Sequence, residues 1–284
     1  MNAADVMAVV VSFNGRESTK LTVQALLPQV RHVFVVDNGS DAESLAILDS
    51  LERECAVSVR RLGTNSGIGH ALNLGIARAK EIECAWLLTM DQDSVADAGM
   101  VGAYLSEIVR NPAAVSLSPR MPEAAAADKA ASVEIRSAIT SGNLVNVGVF
   151  DKIGAYDEGF FIDCIDFDFS LRLRSAGYKL LRIENAGMRH QLGEVTDLPG
   201  YVTKFYAQHS ALRRYYMTRN YLYLAERHLF RFPVFIAKLG ILRAVLLVLI
   251  AFFDRAPMSS YRAIAKGVRD YVMRRRGPYR GASL

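Results

Sequence analysis

Two aspartates, Asp91 and Asp93, stand one residue apart directly after the apolar run Trp86 to Met90 near the middle of the chain. In an open parallel sheet, ligands bind outside the carboxyl ends of the strands, so a carboxylate pair that follows a strand is expected at the mouth of a cleft. Carboxylate oxygens suit Mg²⁺ or Mn²⁺, and such ions commonly bind a diphosphate as well. The alternative is a polar turn without a ligand, but the position after a strand favours a metal site.

A second acidic cluster follows a run of aromatic residues and consists of Asp163, Asp166 and Asp168. Apolar residues at helical spacing predict a helix that begins near Asp166 and stops at Gly177. Carboxylates in its first turn would face the positive end of the helix dipole, which lowers their pKa and keeps them ionised. One of the three acids is expected to cap the helix, but three acids within six residues exceed what capping requires.

A glycine-rich loop over residues 63–69 leads into a predicted helix that ends near Lys80. Exposed amides at the start of a helix can bind phosphate. The loop is a poor dinucleotide-binding fingerprint, because Gly67 and Gly69 are followed by Leu72 where a third glycine is required, and because it follows the third strand. The alternative is a loop whose glycines serve only a tight turn.

Arginines and tyrosines are clustered over residues 213–221. Arginine among tyrosines suits contact with phosphate or sugar, but a helix that packs its tyrosines inward and leaves its arginines in solvent explains the pattern equally well. The lone histidine His190 is, from the residues alone, more often structural than a metal ligand.

Alternating apolar runs and helical patterns indicate an α/β fold built on a doubly wound, mostly parallel sheet flanked by helices. Ser40 and Glu43 form a predicted capping box for the second helix, and Asp97 is a predicted cap for the fourth. Gly154 is expected to end a helix over residues 146–153, and residues 120–131 are expected to form a surface segment. The predicted strands lie near residues 6–13, 32–36, 57–62, 86–90, 114–117 and 178–183, and the C-terminal part from residue 201 is predicted to be helical.

The C-terminal region is apolar and then basic. Residues 233–253 are charged only at Lys238 and Arg243, while residues 255–284 carry eight basic residues and one acid, a net charge of +7 in a chain whose net charge is +5. The apolar stretch is long enough to span a bilayer, but its two cations lie within its first half. A helix that lies on the membrane surface with the basic tail against anionic lipid accounts for both features, and an internal core helix is the other alternative.

The composition is that of a globular protein, with 51% hydrophobic and 22% charged residues among 284. This length allows one large domain or a domain with a smaller appendage. The three cysteines, Cys55, Cys84 and Cys164, lack metal-binding spacing, and Cys84 and Cys164 lie in apolar runs typical of reduced, buried thiols. No secretion signal is recognisable at the N-terminus, so a cytoplasmic location, peripheral on the inner face of the membrane, is expected.

The order of these motifs resembles that of family 2 glycosyltransferases of GT-A fold. The resemblance covers about residues 6–225 and, within the family, extends to the bacterial rhamnosyltransferase branch. The matching segments are Val9 to Asn14, Val35 to Ser40, Asn65 to Gly69, Met90 to Ser94, Phe161 to Arg172, His190 to Gly193, and Arg219-Asn220.

The resemblance implies an inverting transfer of L-rhamnose from dTDP-β-L-rhamnose to a hydroxyl of a cell-surface polysaccharide or lipopolysaccharide, through a glycan or lipid-linked acceptor. Asp166 would be the general base, and Asp91, Asp93 and His190 would hold Mg²⁺ or Mn²⁺. Many relatives have Glu-Asp where this chain has Ile165-Asp166, so either Asp166 or Asp163 could contact the acceptor. The implied donor-binding residues are Ser12, Asn14, Asp37, Asn38, Asn65, Gly67, Gly69, Asn73, Asp91, Gln92 and Arg219, and the implied acceptor-binding residues are Ser141, Gly142 and Asp163.

The implied domain organisation places a catalytic domain at residues 1–196, with a nucleotide-sugar half at about 1–118 and an acceptor half at about 137–196. Residues 197–284 would form a basic, helical, membrane-associating region.

Three alternative functions are considered. Another nucleotide sugar could replace dTDP-rhamnose in the same reaction. A nucleotidyltransferase should carry a basic phosphate-binding loop after the first strand, and Phe13 to Glu17 is a poor one. A non-catalytic glycan- or membrane-binding module would have no use for Asp166. No base-reading motif accompanies the basic tail, so nucleic acid is not an expected partner.

Overall fold

The computed structural model describes residues 2–55, 57–121, 131–190 and 208–281, with His190 described by its backbone. These residues form two compact units, which we describe separately. Unit 1 consists of Met1–Tyr156 with Phe169–Gln191, and unit 2 consists of Asp157–Asp168 with Leu192–Leu284. The division differs from the predicted boundary near residue 196, because the segment that carries Asp163 and Asp166 groups with the C-terminal helices.

Nine strands of the described residues form one sheet in unit 1, with the order β3-β2-β1-β4-β8-β6-β9-β5 and with β7 paired to β9. Strands β1 to β4 are mutually parallel, β8 is antiparallel to β4 and β6, and β6 is parallel to β9. The strands are β1 Val6–Ser12, β2 His32–Asp37, β3 Val57–Arg61, β4 Trp86–Asp91, β5 Ser94–Ala96, β6 Ser116–Arg120, β7 Ser132–Ile135, β8 Asn143–Asn146 and β9 Leu180–His190.

Six α-helices accompany this sheet in the described chain, and the last of them begins in unit 2. They are α1 Arg16–Leu26, α2 Ala42–Glu54, α3 Ile68–Glu81, α4 Met100–Arg110, α5 Val149–Ile153 and α6 Ile165–Ser175. Helices cover both faces of the parallel strands, so all seven residues of β1 are buried, and the valine-rich run of this strand has no polar alternation. Gly154 (φ +80°) ends α5 and Gly177 (φ +84°) follows α6, as predicted.

Both predicted N-caps are wrong, and the reason is visible in each case. The hydroxyl of Ser40 accepts a hydrogen bond from the Asn14 amide (2.9 Å), so Asp41 caps α2 instead, through the Ser44 amide. Gly99, in the left-handed region (φ +84°), precedes α4, and the carboxylate of Asp97 lies 3.8 Å from Arg189.

The remaining differences concern short strands. Residues 143–146 form β8, so the helix predicted from residue 146 begins only at Val149, and the strand predicted over residues 178–183 extends to His190. Strands β5 and β7 were not predicted. The predicted surface segment at residues 120–131 falls largely outside the described residues.

Unit 2 is helical in its described part, with α7 Ala211–His228, α8 Pro233–Phe253 and α9 Pro257–Val272 after a 3₁₀ turn at Glu158–Phe160. The start of the helical region predicted from residue 201 lies outside the described residues. Ser210 caps α7 by accepting from the Arg213 amide, and prolines occupy the first positions of α8 and α9, where a missing N–H costs nothing. Helices α7 and α9 pack together, with Tyr215, Tyr216 and Ala263 in their buried contact.

Helix α8 is long and apolar enough to cross a membrane. Its most apolar window has a mean hydropathy of 2.5, and 17% of that window is buried within the described protein. Ile236 and Ile250 are buried, but Ile241, Val248 and Phe252 are 63%, 59% and 76% exposed. The prediction of an internal core helix is therefore the least consistent with this geometry.

Candidate functional site

The sheet register brings three predicted site residues to one edge of unit 1. Ser12 lies opposite Asp37 in the β1–β2 pair, and Val11 lies opposite Asp91 in the β1–β4 pair. The chain moves outward from β1 through β2 to β3 and then returns to β4 on the other side of β1, so β1 and β4 flank a topological switch point. Crevices at the carboxyl ends of such strands are the ligand-binding positions of open α/β sheets.

One carboxylate oxygen of Asp37 accepts hydrogen bonds from the backbone of unit 1, and the other accepts none from the described residues. The residue is 1% exposed, and its Oδ2 accepts from the amides of Gly39 and Ser40, both at 3.2 Å. Its Oδ1 is buried and has no hydrogen-bond partner among the described residues. Buried polar atoms are normally paired, so this oxygen fits an N–H donor of a bound ligand, as the base of a nucleotide would supply.

The glycine-rich loop is held to β2 by Asn38. The Asn38 side chain donates to the Gly67 carbonyl (3.2 Å) and accepts from the Ser66 amide (3.0 Å), and the Asn65 side chain accepts from the Gly67 amide (3.0 Å). Gly67 has a φ of +89° and precedes α3. A side chain at this position would strain the backbone. Asn38 therefore fixes the loop that carries Gly67 and Gly69.

The amide side chains of Gln92 and Asn14 also hold backbone in place. Gln92 accepts from the Phe13 amide (2.6 Å) and donates to the Phe13 carbonyl (3.1 Å), which joins the ends of β1 and β4. Asn14 has a φ of 55° and accepts from the Asp41 amide (2.8 Å). Both side chains shape the edge of the cleft by fixing the loops that follow the strands.

Ser12 and Asn73, two other predicted donor-binding residues, have partners inside unit 1. Ser12 is 1% exposed, and its hydroxyl lies 3.2 Å from that of Thr19. The Asn73 amide both donates to and accepts from the Tyr156 backbone, each at 2.9 Å. These contacts fix the position of both side chains, and their contact with the donor stays a prediction.

Ser141 and Gly142 were predicted to bind the acceptor, and the structure places both inside unit 1. Ser141 has no exposed surface; its hydroxyl accepts from the Asp91 amide (3.1 Å) and donates to Ser94 Oγ (2.7 Å). The buried Gly142 (φ +76°) accepts from the Tyr104 hydroxyl at 2.8 Å. These residues hold the segment from Asp91 to Ser94 in place, and their contact with the acceptor stays a prediction.

The donor set at the end of β4 fits a divalent cation. Asp91 and Asp93 are half-buried, and β5 pairs with β9 so that Ser94, the residue after Asp93, lies opposite His190. The two carboxylates supply oxygen ligands of the kind that Mn²⁺ and Mg²⁺ accept, and the backbone of His190 pairs with the next residue, Ser94. Among the side chains that the structure describes, which exclude that of His190, no three potential ligands are already gathered into a metal group.

In unit 2, the segment before Asp166 has an unusual backbone. Phe161, Asp163 and Cys164 have φ values of 65°, 61° and 65°, in the left-handed region that costs energy for residues other than glycine. Asn220 on α7 holds this segment by donating through Nδ2 to the carbonyls of Phe160 (2.7 Å) and Ile162 (2.5 Å). Local strain of this kind persists where surrounding contacts fix it, and it is frequent next to reactive residues.

Arg219 does not contribute free donors to a ligand site. It is 1% exposed and stacks on Tyr215 and Tyr216, with its guanidinium carbon 5.3 and 5.0 Å from the ring centroids. Its five N–H groups are matched by five acceptors within unit 2, and its contact with the donor stays a prediction. The acceptors are Asn220 Oδ1, the Tyr215 hydroxyl and the carbonyls of Gly277, Gly159 and Phe160.

Asp168 is an anchor that the sequence did not reveal. It has no exposed surface, and its Oδ1 lies 2.7 Å from Arg227 Nη1 and 3.0 Å from His228 Nε2. Arg227 also donates to Asp157 Oδ2, and Arg276 Nη2 lies 2.8 Å from the same oxygen. One signal was available: Asp168 lies three residues after Ile165 on the buried face of α6, where a charge requires a partner.

The two acids that remain as candidates for proton transfer differ in environment. Asp166 is half-buried in the first turn of α6, and its Oδ1 accepts from the Phe167 amide at 2.9 Å. Asp163 lies 3.6 Å from Arg213, and its Oδ2 is buried without a partner among described residues. Burial raises the pKa of Asp163 above its ordinary value, against the opposing effect of Arg213 and Arg243. The predicted lowering of the pKa concerns the first turn of α6, which begins after Asp163.

Comparison with known proteins decides the family. A family model described as glycosyl transferase family 2 matches residues 7–154, just over half of the chain. The chain belongs to glycosyl transferase family 2. This glycosyltransferase is also 27% identical to the dTDP-rhamnosyl transferase RfbF of Shigella flexneri, over 79% of this chain and 81% of that relative.

Two solved structures show that the glycosyltransferase has the predicted GT-A fold. The crystal structure of GalNAc-T7 with UDP, GalNAc and Mn²⁺ matches with a TM-score of 0.59 and 16% identity, over 77% of this chain and 51% of that one. The crystal structure of S. aureus TarS matches with a TM-score of 0.55 and 14% identity, over 96% of this chain and 49% of that one. The glycosyltransferase thus spans about half the length of each solved chain.

Proposed function

We propose that this glycosyltransferase transfers L-rhamnose, with inversion, from dTDP-β-L-rhamnose to a hydroxyl of a lipid-linked or surface-polysaccharide acceptor. The observation that carries the proposal is the edge of unit 1, where the unpaired Oδ1 of Asp37 lies one strand from β1 and Asp91 ends the strand on its other side. The similarity to a dTDP-rhamnosyl transferase over four fifths of both chains supports the choice of donor.

Different residues of unit 1 bind different parts of the nucleotide in this proposal. Asp37 accepts an N–H of the base through its unpaired Oδ1. Residues 65–69, which Asn38 holds in place, line the nucleotide with backbone amides. Asp91, Asp93 and His190 would hold Mg²⁺ or Mn²⁺, which offsets the negative charge that develops on the leaving diphosphate.

Asp166 is proposed as the general base. Inversion requires a single displacement, in which the acceptor oxygen forms a bond to the anomeric carbon while the bond from that carbon to the diphosphate oxygen breaks. The acceptor hydroxyl loses its proton in this step, and a carboxylate in reach of it accepts that proton. Asp163 is the second candidate for the acceptor contact, and its raised pKa makes it the poorer base at low pH.

The experiment that tests the function is a panel of nucleotide sugars with a lipid-linked acceptor, with and without a chelator. We expect turnover of dTDP-rhamnose that the chelator abolishes and that added Mg²⁺ or Mn²⁺ restores. Turnover of a different donor would overturn the choice of rhamnose and leave a family 2 transferase. Turnover that persists in excess chelator would overturn the proposed metal role.

A membrane surface is proposed as a further partner of unit 2. The exposed apolar side chains of α8, among them Val248 and Phe252, suit insertion at a lipid interface, and the net charge of residues 255–284 suits anionic lipid. We expect the double substitution Val248→Asp and Phe252→Asp to reduce flotation with vesicles of anionic lipid. The control is Val109→Asp, which adds one charge at a 69% exposed position of α4. Equal flotation of all three proteins would contradict the proposal.

A further inference from the structure

Unit 2 contains a cavity of about 460 Å³ that the proposed transfer reaction does not use. It lies where α7 and the end of α9 meet the segment after α9. Its charged and aromatic lining consists of Arg219, Arg269, Arg275, Arg276, Arg280, Asp270, Tyr215 and Tyr279. A cavity lined by five arginines and one aspartate has an excess of four positive charges.

The acids that the structure describes around this cavity do not neutralise the excess. Asp270 is buried, accepts from the Tyr215 hydroxyl (2.9 Å), and pairs with Arg269 (3.1 Å) and Arg275 (3.4 Å). Even when Asp157, which pairs with Arg276 at 2.8 Å from outside the lining, is included, three positive charges remain in excess. Lys266, whose Nζ lies 3.1 Å from the Tyr279 hydroxyl, increases the local positive charge further.

Several guanidinium N–H groups in the cavity are available to a ligand. The five N–H donors of Arg219 all bond acceptors within unit 2, so this residue contributes positive charge and part of the cavity surface but no free donor. Arg275 gives only Nη1 to Asp270, and no ion pair is found for Arg280 within the described protein. The side chains of Arg269 and Arg275 are 55% and 56% exposed, so solutes can reach them.

We propose that this cavity is a binding site for a phosphate group, either a phosphomonoester or a diphosphate. The arginine fork matches the oxygens of phosphate in pairs, and arginine is the residue that recognises phosphate through such paired contacts. The excess charge suits a ligand of charge −2 or −3, and the tyrosine walls exclude part of the solvent. The site goes beyond the proposed transfer reaction, since Asp37, residues 65–69, the proposed metal ligands and Asp166 do not line it.

The phosphate group that this cavity would bind can belong to a free phosphate compound or to a lipid. The first arm of the test measures binding of inorganic diphosphate to the full chain by calorimetry in the presence of a chelator. The second arm measures binding to vesicles of phosphatidic acid, a lipid phosphomonoester, and of phosphatidylcholine. The cavity variant is Arg269→Gln with Arg275→Gln. The matched control is Arg255→Gln with Arg262→Gln, which removes the same charge from exposed positions of unit 2 that do not line the cavity.

We expect the cavity variant to bind diphosphate at least about tenfold more weakly than the control variant, a difference of about 1.4 kcal/mol. If the natural source is a lipid, binding to phosphatidic acid vesicles falls by a similar factor; if it is a free compound, vesicle binding equals that of the control. Equal diphosphate affinity of the two variants would overturn the proposal. Arg280→Gln, which breaks no ion pair in the described protein, provides the same test if the double variant does not fold.

Discussion

Asn220 Nδ2 lies 2.7 Å from the carbonyl oxygen of Phe160 and so ties the middle of α7 to the segment that leads into the acidic cluster. The same nitrogen lies 2.5 Å from the Ile162 carbonyl and 3.2 Å from that of Asp163. One amide group thus gathers three carbonyls of a segment in which Phe161, Asp163 and Cys164 all have positive φ. The position of Asp166 depends on this contact, because α6 begins directly after the strained segment.

Asn220→Ala removes the donor from three buried carbonyls. We expect a loss of about 1–3 kcal/mol in the free energy of unfolding, and a loss of turnover on the order of 10²-fold, because small displacements of a reacting group have effects of this size. The measurement is kcat with saturating donor, alongside unfolding in urea. Affinity for dTDP should be unchanged, and a variant that loses dTDP binding with no change in kcat would contradict the positioning role.

Asp37→Asn tests the assignment of the nucleotide base. The substitution keeps one side-chain oxygen but replaces the unpaired carboxylate oxygen or its neighbour with a donor. We expect about 10- to 100-fold weaker binding of dTDP, the value of a charged hydrogen bond, with no loss of stability. Calorimetry with dTDP measures this, and Asp49→Asn, which changes an acid at a 49% exposed position of α2, is the control. Unaltered affinity in Asp37→Asn would exclude a contact with the base.

The sequence predicted the parallel core of the sheet well, because its strands are local properties of the chain. The buried run of β1 and the carboxylates after β4 follow from residues that are neighbours in the chain, and the parallel order follows from alternation with helices. The internal contacts of Ser141 and Arg219 could not be predicted because each depends on distant partners. Ser141 bonds an amide 50 residues earlier, and Arg219 bonds the Phe160 carbonyl 59 residues earlier.

Asp93→Asn tests the metal site. We expect a loss of turnover of about 10²-fold or more at fixed Mn²⁺, since a metal contributes several kcal/mol to stabilisation of the leaving group, and a higher Mn²⁺ concentration for half-maximal rate. The control is Asp97→Asn, which removes a carboxylate of 51% exposure four residues later. A Mn²⁺ dependence that is the same in both variants would remove Asp93 from the metal site.

His209 makes the stability of unit 2 depend on pH. Burial, together with Arg213, Arg214 and Arg243, lowers the pKa of His209 from 6.5 to about 4. Between pH 6.5 and pH 4, the unfolded chain binds a proton at His209 that the folded chain does not bind. The contribution of His209 to the free energy of unfolding is therefore fully present above pH 6.5 and falls as the pH decreases towards 4. The slope is at most about 1.4 kcal/mol per pH unit.

Urea unfolding at pH 7 and pH 5 measures this effect, and His209→Gln should reduce the difference between the two values. Burial and the nearby Arg78 and Arg31 also lower the pKa of His32, in unit 1, so His32→Gln serves as the comparison. If His209→Gln and the unaltered protein lose the same stability between pH 7 and pH 5, His209 is not the responsible group.

The most direct test of the proposed chemistry is the turnover of Asp166→Asn with dTDP-rhamnose, Mn²⁺ and a lipid-linked acceptor, measured together with its affinity for dTDP and with Asp163→Asn in parallel. Loss of a general base costs about 10²–10⁴-fold in rate. We expect Asp166→Asn to lose turnover in this range while its dTDP affinity is unchanged, and Asp163→Asn to lose less. Turnover of Asp166→Asn within about twofold of the unaltered enzyme would contradict the assignment of Asp166 as the base.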